Sequence, residues 1–304
     1  MDSKLSEVLT ALNSVLLGKE HQVKLALTCL LAKGHLLIED LPGMGKTTLS
    51  YGLANVLGLN YRRIQFTSDL LPADILGASV FQPATEQRPA HFVFAKGPVF
   101  SQLVLADEIN RATPKAQSAL LEAMAENQVS IDGKTHKLPQ PFFVIATQNP
   151  LSQAGTFPLP ESQLDRFLMR ISLGYPSPEA ERLLLEGLDN PKKTLSALLT
   201  LEELSDYQAK VKQVHASASL LDYVQRLISS TRMNNQLTYG LSPRGALALL
   251  TAAKAWALLH GRNHAVPEDV QAVFSAVAEH RLSDALDSSQ PDFSAQLLAS
   301  VNVL

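Results

Sequence analysis

A chain of 304 residues with 46% hydrophobic and 18% charged side chains is that of an ordinary folded protein, long enough for two domains and neither disordered nor fibrous. Its formal net charge of −3 gives no bulk electrostatic reason to bind nucleic acid. A single cysteine, Cys29, excludes an intrachain disulfide and a cysteine-rich metal site, and suits a reducing compartment.

The opening residues from Met1 to Glu7 include acidic side chains and no long apolar core, so they do not read as a secretory signal. No apolar run reaches the length of a membrane span, and the expected location is the cytoplasm. A helical pattern over Val23–Lys33 precedes an apolar strand pattern at His35–Glu39. That strand feeds Asp40-Leu41-Pro42-Gly43-Met44-Gly45-Lys46-Thr47-Thr48, and a second helical pattern runs over Lys46–Leu57. Strand, glycine turn, lysine, hydroxyl pair and helix in this order form the context of a P-loop. The glycines let the backbone close around phosphates, and N–H groups at the helix start point at the anion. Lys46 is then expected at the β/γ-phosphates and Thr47 on Mg²⁺. The usual first glycine of the pattern is replaced by Asp40, read as a tolerated variant. Taken alone, the stretch could also be a Gly/Pro turn carrying a solvated lysine, the less favoured of the two readings.

Further strands are predicted at Tyr61–Phe66, Gln102–Ala106, Phe142–Ala146 and Leu168–Leu173, with a helix at Pro114–Glu126. This alternation implies a parallel sheet covered by helices on both faces, with ligands bound beyond the carboxyl ends of the strands. Two hairpins interrupt it. One pairs Ser79–Gln82 with His91–Ala95, its polar tip near Thr85–Arg88. The other pairs Gln128–Ile131 with Lys134–Leu138 around Asp132-Gly133, a strong two-residue turn signal.

The strand Leu103-Val104-Leu105-Ala106 ends in Asp107-Glu108. Successive strand residues face opposite sides, so the two acids can divide the work: Asp107 toward Mg²⁺, Glu108 toward an attacking water. Mere solubilisation of a strand end is the competing reading, and the P-loop ~60 residues earlier weighs against it. The strand Phe143-Val144-Ile145-Ala146 ends in Thr147-Gln148-Asn149-Pro150, where Asn149 could orient that water or simply start a turn. Leu164-Asp165-Arg166-Phe167 and Ser242-Pro243-Arg244-Gly245 each place an arginine at the end of an element. Phosphoryl transfer concentrates negative charge on the γ-phosphate, which arginines of this kind stabilise.

After Tyr175-Pro176-Ser177-Pro178 the chain turns helical, as at Leu220–Met233 and Pro243–Leu259, and Pro267-Glu268-Asp269 reads as a helix start. A boundary near Ser177 divides an α/β core, 1–176, from an all-helical region, 177–304.

These ordered pieces resemble the AAA+ ATPases, and within them the MoxR branch. The resemblance is carried by Leu41–Thr47, Phe94-Ala95-Lys96-Gly97-Pro98-Val99-Phe100, Leu105–Ala112, Ala146–Pro150 and Leu164–Phe167. It implies a P-loop AAA+ core with hairpin inserts and a helical lid. It also implies ATP/ADP and Mg²⁺ as ligands, with Gly43, Met44, Gly45, Lys46, Thr47 and Thr48 as the phosphate-binding stretch. Asp107 and Glu108 correspond to Walker B, Asn149 to sensor 1 and Arg244 to sensor 2 acting in its own chain. Arg166 corresponds to the finger offered to a neighbouring subunit. Gly18 and Lys19 resemble the segment that lines the adenine pocket. The implied role is slow ATP hydrolysis in a hexameric ring that remodels or matures client proteins with a von Willebrand factor A partner. A chelatase-type motor subunit and a DNA-directed motor are the alternatives. Lys134, His136 and Lys137 give the last only a modest basic cluster. A transcription activator is disfavoured because a Gly-Ala-Phe-Thr-Gly-Ala loop is absent, and a non-hydrolysing assembly module because Glu108 would then have no task.

Overall fold

The computed structural model describes residues 2–85, 88–150, 155–187, 195–234, 237–282 and 293–303. In chain order the strands are β1 (Leu36–Glu39), β2 (Tyr61–Gln65), β3 (Gly77–Gln82), β4 (His91–Lys96), β5 (Leu103–Asp107), β6 (Gln128–Ile131), β7 (Lys134–Lys137), β8 (Phe143–Gln148) and β9 (Met169–Ile171). The helices of the first part are α1 (Ser3–Asn13), α2 (Glu20–Leu31), α3 (Lys46–Val56), α4 (Pro72–Leu76), α5 (Pro114–Glu126) and α6 (Glu161–Leu164). Then follow α7 (Pro178–Leu185), α8 (Leu201–Gln213), α9 (Ala218–Met233), α10 (Pro243–Leu259), α11 (Pro267–Leu282) and α12 (Phe293–Ser300).

Five strands form a parallel sheet in the order β2-β5-β8-β1-β9. The pleat sorts their side chains into two cores. Leu36, Ile38, Leu103, Leu105, Phe143 and Ile145 face α1, α2 and α3, while Leu37, Val104, Ala106, Val144 and Ala146 face α5. The three central strands, β5, β8 and β1, are apolar on both faces because helices cover both.

Every predicted strand, helix and hairpin of the α/β part is present within three residues. The Asp132-Gly133 turn has positive φ at both residues, as a two-residue hairpin turn requires. Residues 86–87 at the tip of the first hairpin lie outside those described. The two hairpins touch: His136 of β7 stacks on Phe94 of β4, with ring centroids 4.2 Å apart.

The C-terminal helices settle against the α2 side of the sheet. Residues Leu25 to Leu31 of α2 are consecutively buried, which a helix can be only if it is covered all round. The sheet covers one flank, and α8 and α10 cover the others. Gln208 of α8 donates to the Leu30 carbonyl at 2.9 Å, satisfying a backbone acceptor near the end of α2. One continuous apolar cluster therefore runs from β1 and β5 through α2 into α10 and α11. Each fully buried leucine in it contributes roughly 1.5–3 kcal/mol.

Candidate nucleotide-binding site

The carboxyl ends of β1, β5 and β8 converge on a cleft of about 370 Å³. Its floor is the turn between β1 and α3. Gly43 and Gly45 hold φ of 85° and 88°, left-handed values that strain any other residue, and Gly45 caps α3. The N–H groups of Lys46, Thr47 and Thr48 therefore start a helix whose N-terminus opens on the cleft.

Lys46 Nζ donates to the carbonyls of Asp40 (2.6 Å) and Leu41 (3.2 Å). Partial burial lowers its pKa, with Asp40, Asp107 and Glu108 opposing that shift. Asp40, in the place of the usual glycine, is a tie rather than a ligand. Its carboxylate accepts from Gly174 N at 2.7 Å and Ser172 Oγ at 3.1 Å, fastening the P-loop to the segment leaving β9.

Asp107 and Glu108 end β5 as expected. Asp107 Oδ1 accepts from Thr147 Oγ1 at 2.6 Å, and the same hydroxyl accepts from Glu108 N at 2.9 Å. Thr147 thus locks β8 to both acids, a role sequence reading missed. Glu108 takes left-handed backbone angles (φ 56°, ψ 50°), which turn its side chain out of the strand. Its Oε2 accepts from Arg111 at 2.8 Å and from Gln65 at 3.3 Å. Asn149 lines the same cleft. Arg63, also missed, donates to Asp107 Oδ2 from two nitrogens, at 2.6 and 3.1 Å.

A Mg²⁺ ion fits the donors present. The Thr47 hydroxyl and the Asp107 carboxylate share the cleft with Lys46, and both are hard oxygen ligands. No group of three His, Cys, Asp or Glu able to hold a metal occurs among the described residues; with two protein oxygens, water and phosphate oxygens would fill the rest of the shell.

Other expected ligands lie elsewhere. Met44 packs its side chain on the apolar cluster under the sheet. Lys19 is buried and donates to the Gly174 and Tyr175 carbonyls at 2.8 and 2.5 Å, so its ammonium is spent on the chain leaving β9. Gly18, at φ 70°, sits where a Cβ would come within 2.8 Å of Ala180. Their expected place is the adenine pocket, and both lie outside the lining of the phosphate cleft.

The two arginines lie together elsewhere. Arg166 and Arg244 line a separate cavity of about 450 Å³ that also includes Arg281 and His35. Arg244 NH1 lies 3.4 Å from Asp165 Oδ2, and Arg166 NH1 donates to the Leu121 carbonyl at 2.8 Å. In this arrangement Arg244, expected at the phosphate site of its own chain, does not line that cleft. With α10 seated against α2, Arg244 is carried to the side of Arg166 and away from the P-loop.

Residues 35–169 match the ATPase family associated with various cellular activities (AAA), and residues 229–299 match the AAA lid domain. The chain is 44% identical over 280 residues to the uncharacterised protein YeaC of Bacillus subtilis, spanning 91% of this chain and 86% of that one. It is 40% identical over 293 residues to Chaperone MoxR1 of Mycobacterium tuberculosis, spanning 93% and 77%. A crystal structure of a proposed ATPase from Cytophaga hutchinsonii superposes with a TM-score of 0.86 at 35% identity, over 98% of this chain and 94% of that one.

Proposed function

This chain belongs to the MoxR family of AAA+ ATPases, and from that premise we propose that it hydrolyses ATP with Mg²⁺ to drive remodelling or maturation of a client protein. The observation that carries the proposal is the meeting of Lys46, Thr47, Asp107, Glu108 and Asn149 in one cleft at the strand ends. Lys46 and the N–H groups at the start of α3 bind the β- and γ-phosphates. Mg²⁺ held by Thr47 and Asp107 would neutralise charge on the transferred group. Glu108 is the base that takes the proton of the attacking water, and Asn149 orients that water. Arg111 and Gln65 hold the Glu108 carboxylate as it stands, so turnover requires it to leave them for the water.

Arg166 and Arg244 sit together outside their own cleft, which favours their joint delivery to a neighbour's γ-phosphate in a hexameric ring. In this reading the core spans 1–176 and the lid 177–304, and the lid carries its arginine to the interface. The stacked hairpins would form one partner surface, for the client and a von Willebrand factor A protein. Their shared contact at Phe94 and His136 supports a common role. No helix among the described residues is long and apolar enough to cross a membrane.

The test is a pair of substitutions. Lys46→Ala should weaken nucleotide binding, whereas Glu108→Gln should keep binding and abolish phosphate release. Unchanged hydrolysis by the Glu108→Gln protein overturns the assignment.

A further inference from the structure

We propose that Arg63 is a counter-cation built into the metal side of the nucleotide cleft. It exchanges with Mg²⁺ for Asp107 and so sets how strongly the metal tightens nucleotide binding. The proposal rests on the reading of Lys46, Thr47 and Asp107 given above.

The register of β2 against β5 pairs Gln65 with Asp107 and Arg63 with Leu105, so Arg63 and Gln65 lie on one face of β2 beside the acid. Arg63 reaches Asp107 Oδ2 through both Nε and NH2, and NH2 also donates to Gln65 Oε1 at 2.9 Å. Thr147 takes the other oxygen, Oδ1. Both oxygens of the acid are therefore engaged, one of them by a positive charge. A divalent ion drawn to that oxygen would meet the guanidinium at close range, where like charges repel strongly. The two cations exclude each other. The Asp107 side chain is 11% exposed and the Arg63 side chain 49%, so the arginine is the partner free to swing out. The phosphates bound in the same cleft would then accept its donors. A purely structural ion pair would instead affect stability and leave the metal's effect on nucleotide affinity untouched.

The measurement is the dissociation constant of a fluorescent, non-hydrolysable ATP analogue, taken in EDTA and in saturating Mg²⁺. The ratio of the two constants reports the coupling between metal and nucleotide. Arg63→Gln should raise this ratio at least about fivefold, within the usual range of such couplings. Arg63→Lys keeps the charge without the fork and should fall between Arg63→Gln and wild type. On an Asp107→Asn background, Arg63→Gln should leave the ratio unchanged. A ratio within about twofold of wild type in both Arg63 variants overturns the proposal, as does an equal rise on the Asp107→Asn background. A wild-type affinity indifferent to Mg²⁺ would overturn the nucleotide-site reading itself, and this proposal with it.

Discussion

Arg281 Nε donates to Asp165 Oδ1 at 2.7 Å across 116 residues of sequence, and the same carboxylate holds Arg244 at 3.4 Å. The rest of the Arg281 guanidinium donates to the Phe167 and Leu168 carbonyls, at 2.8 and 3.2 Å, and to Val277 of its own helix. One buried side chain on α11 thus fastens the segment that bears Arg166, and through Asp165 it also orients Arg244. The two arginines proposed for the subunit interface share a single anchor.

Arg281→Ala should therefore lower stability. Its side chain is only 5% exposed, and removing it leaves Asp165 with only the more distant Arg244 and takes a donor from the Phe167 and Leu168 carbonyls. Loss of one partner of a buried pair costs about 3–5 kcal/mol, to be read as a lowered midpoint in urea unfolding. Arg281→Lys keeps the charge but not the fork, so it should recover only part of the stability.

Thr147 offers a cleaner probe of the catalytic end of β5. Its hydroxyl donates to Asp107 and accepts from the Glu108 N–H within a buried site. Thr147→Val keeps the shape and strands both partners, at about 1–3 kcal/mol. Turnover should fall about tenfold or more if the lost geometry is felt in the transition state. Thr147→Ser should retain most of the activity. Equal rates in all three proteins, from steady-state phosphate release, would separate Thr147 from the chemistry.

What could be read from sequence was set by local signals. The β1–turn–α3 unit, the acids ending β5 and the Asp132-Gly133 hairpin each declare themselves through neighbours in the chain, and each lies where expected. Arg63 and Thr147 escaped because their meaning depends on register. Only the pairing of Gln65 with Asp107 reveals that the arginine two residues earlier faces the acid. A β-branched hydroxyl two residues before Asn149 was the visible signal for Thr147, but apolar strands often end so. The surroundings of Lys19 and Arg244 were not legible for a different reason. The packing of α10 on α2, and of Lys19 on the carbonyls leaving β9, joins parts of the chain too far apart for any local pattern to connect.

Two buried histidines make stability depend on pH. His35 Nδ1 accepts from the Val144 N–H at 3.0 Å, so the ring proton sits on Nε2, which lies 3.4 Å from the Met124 carbonyl. Burial pushes its pKa down to about 4, and burial beside Arg281 drives His280 well below its ordinary value too. The sign follows from proton counting. Below the unfolded value near 6.5 the unfolded chain binds protons that the folded one refuses. Stability is therefore full above that pH and is lost as pH falls toward 4. Thermal midpoints measured from pH 7 to 5 should decline, and His35→Gln, which retains an acceptor and a donor, should flatten part of the slope. A flat wild-type profile over this range would contradict the burial of neutral histidines.

The last prediction concerns the interface. With Arg166 and Arg244 side by side and away from their own P-loop, neither can serve the nucleotide of its own chain in this arrangement. Arg166→Ala and Arg244→Ala should each bind nucleotide normally and hydrolyse it slowly, and arginine fingers are worth about 10³–10⁵ in rate where they act. Lys46→Ala should be inactive because it binds nucleotide too weakly. Mixing Lys46→Ala subunits with either arginine variant creates interfaces at which an intact P-loop faces an intact pair of arginines. Some turnover should return, and specific activity of the wild type should rise with protein concentration as rings assemble. If Arg166→Ala is rescued in the mixture and Arg244→Ala is not, Arg244 serves its own chain after the lid moves. If neither is rescued, and activity is independent of concentration, the cavity they share is not an interface for phosphate.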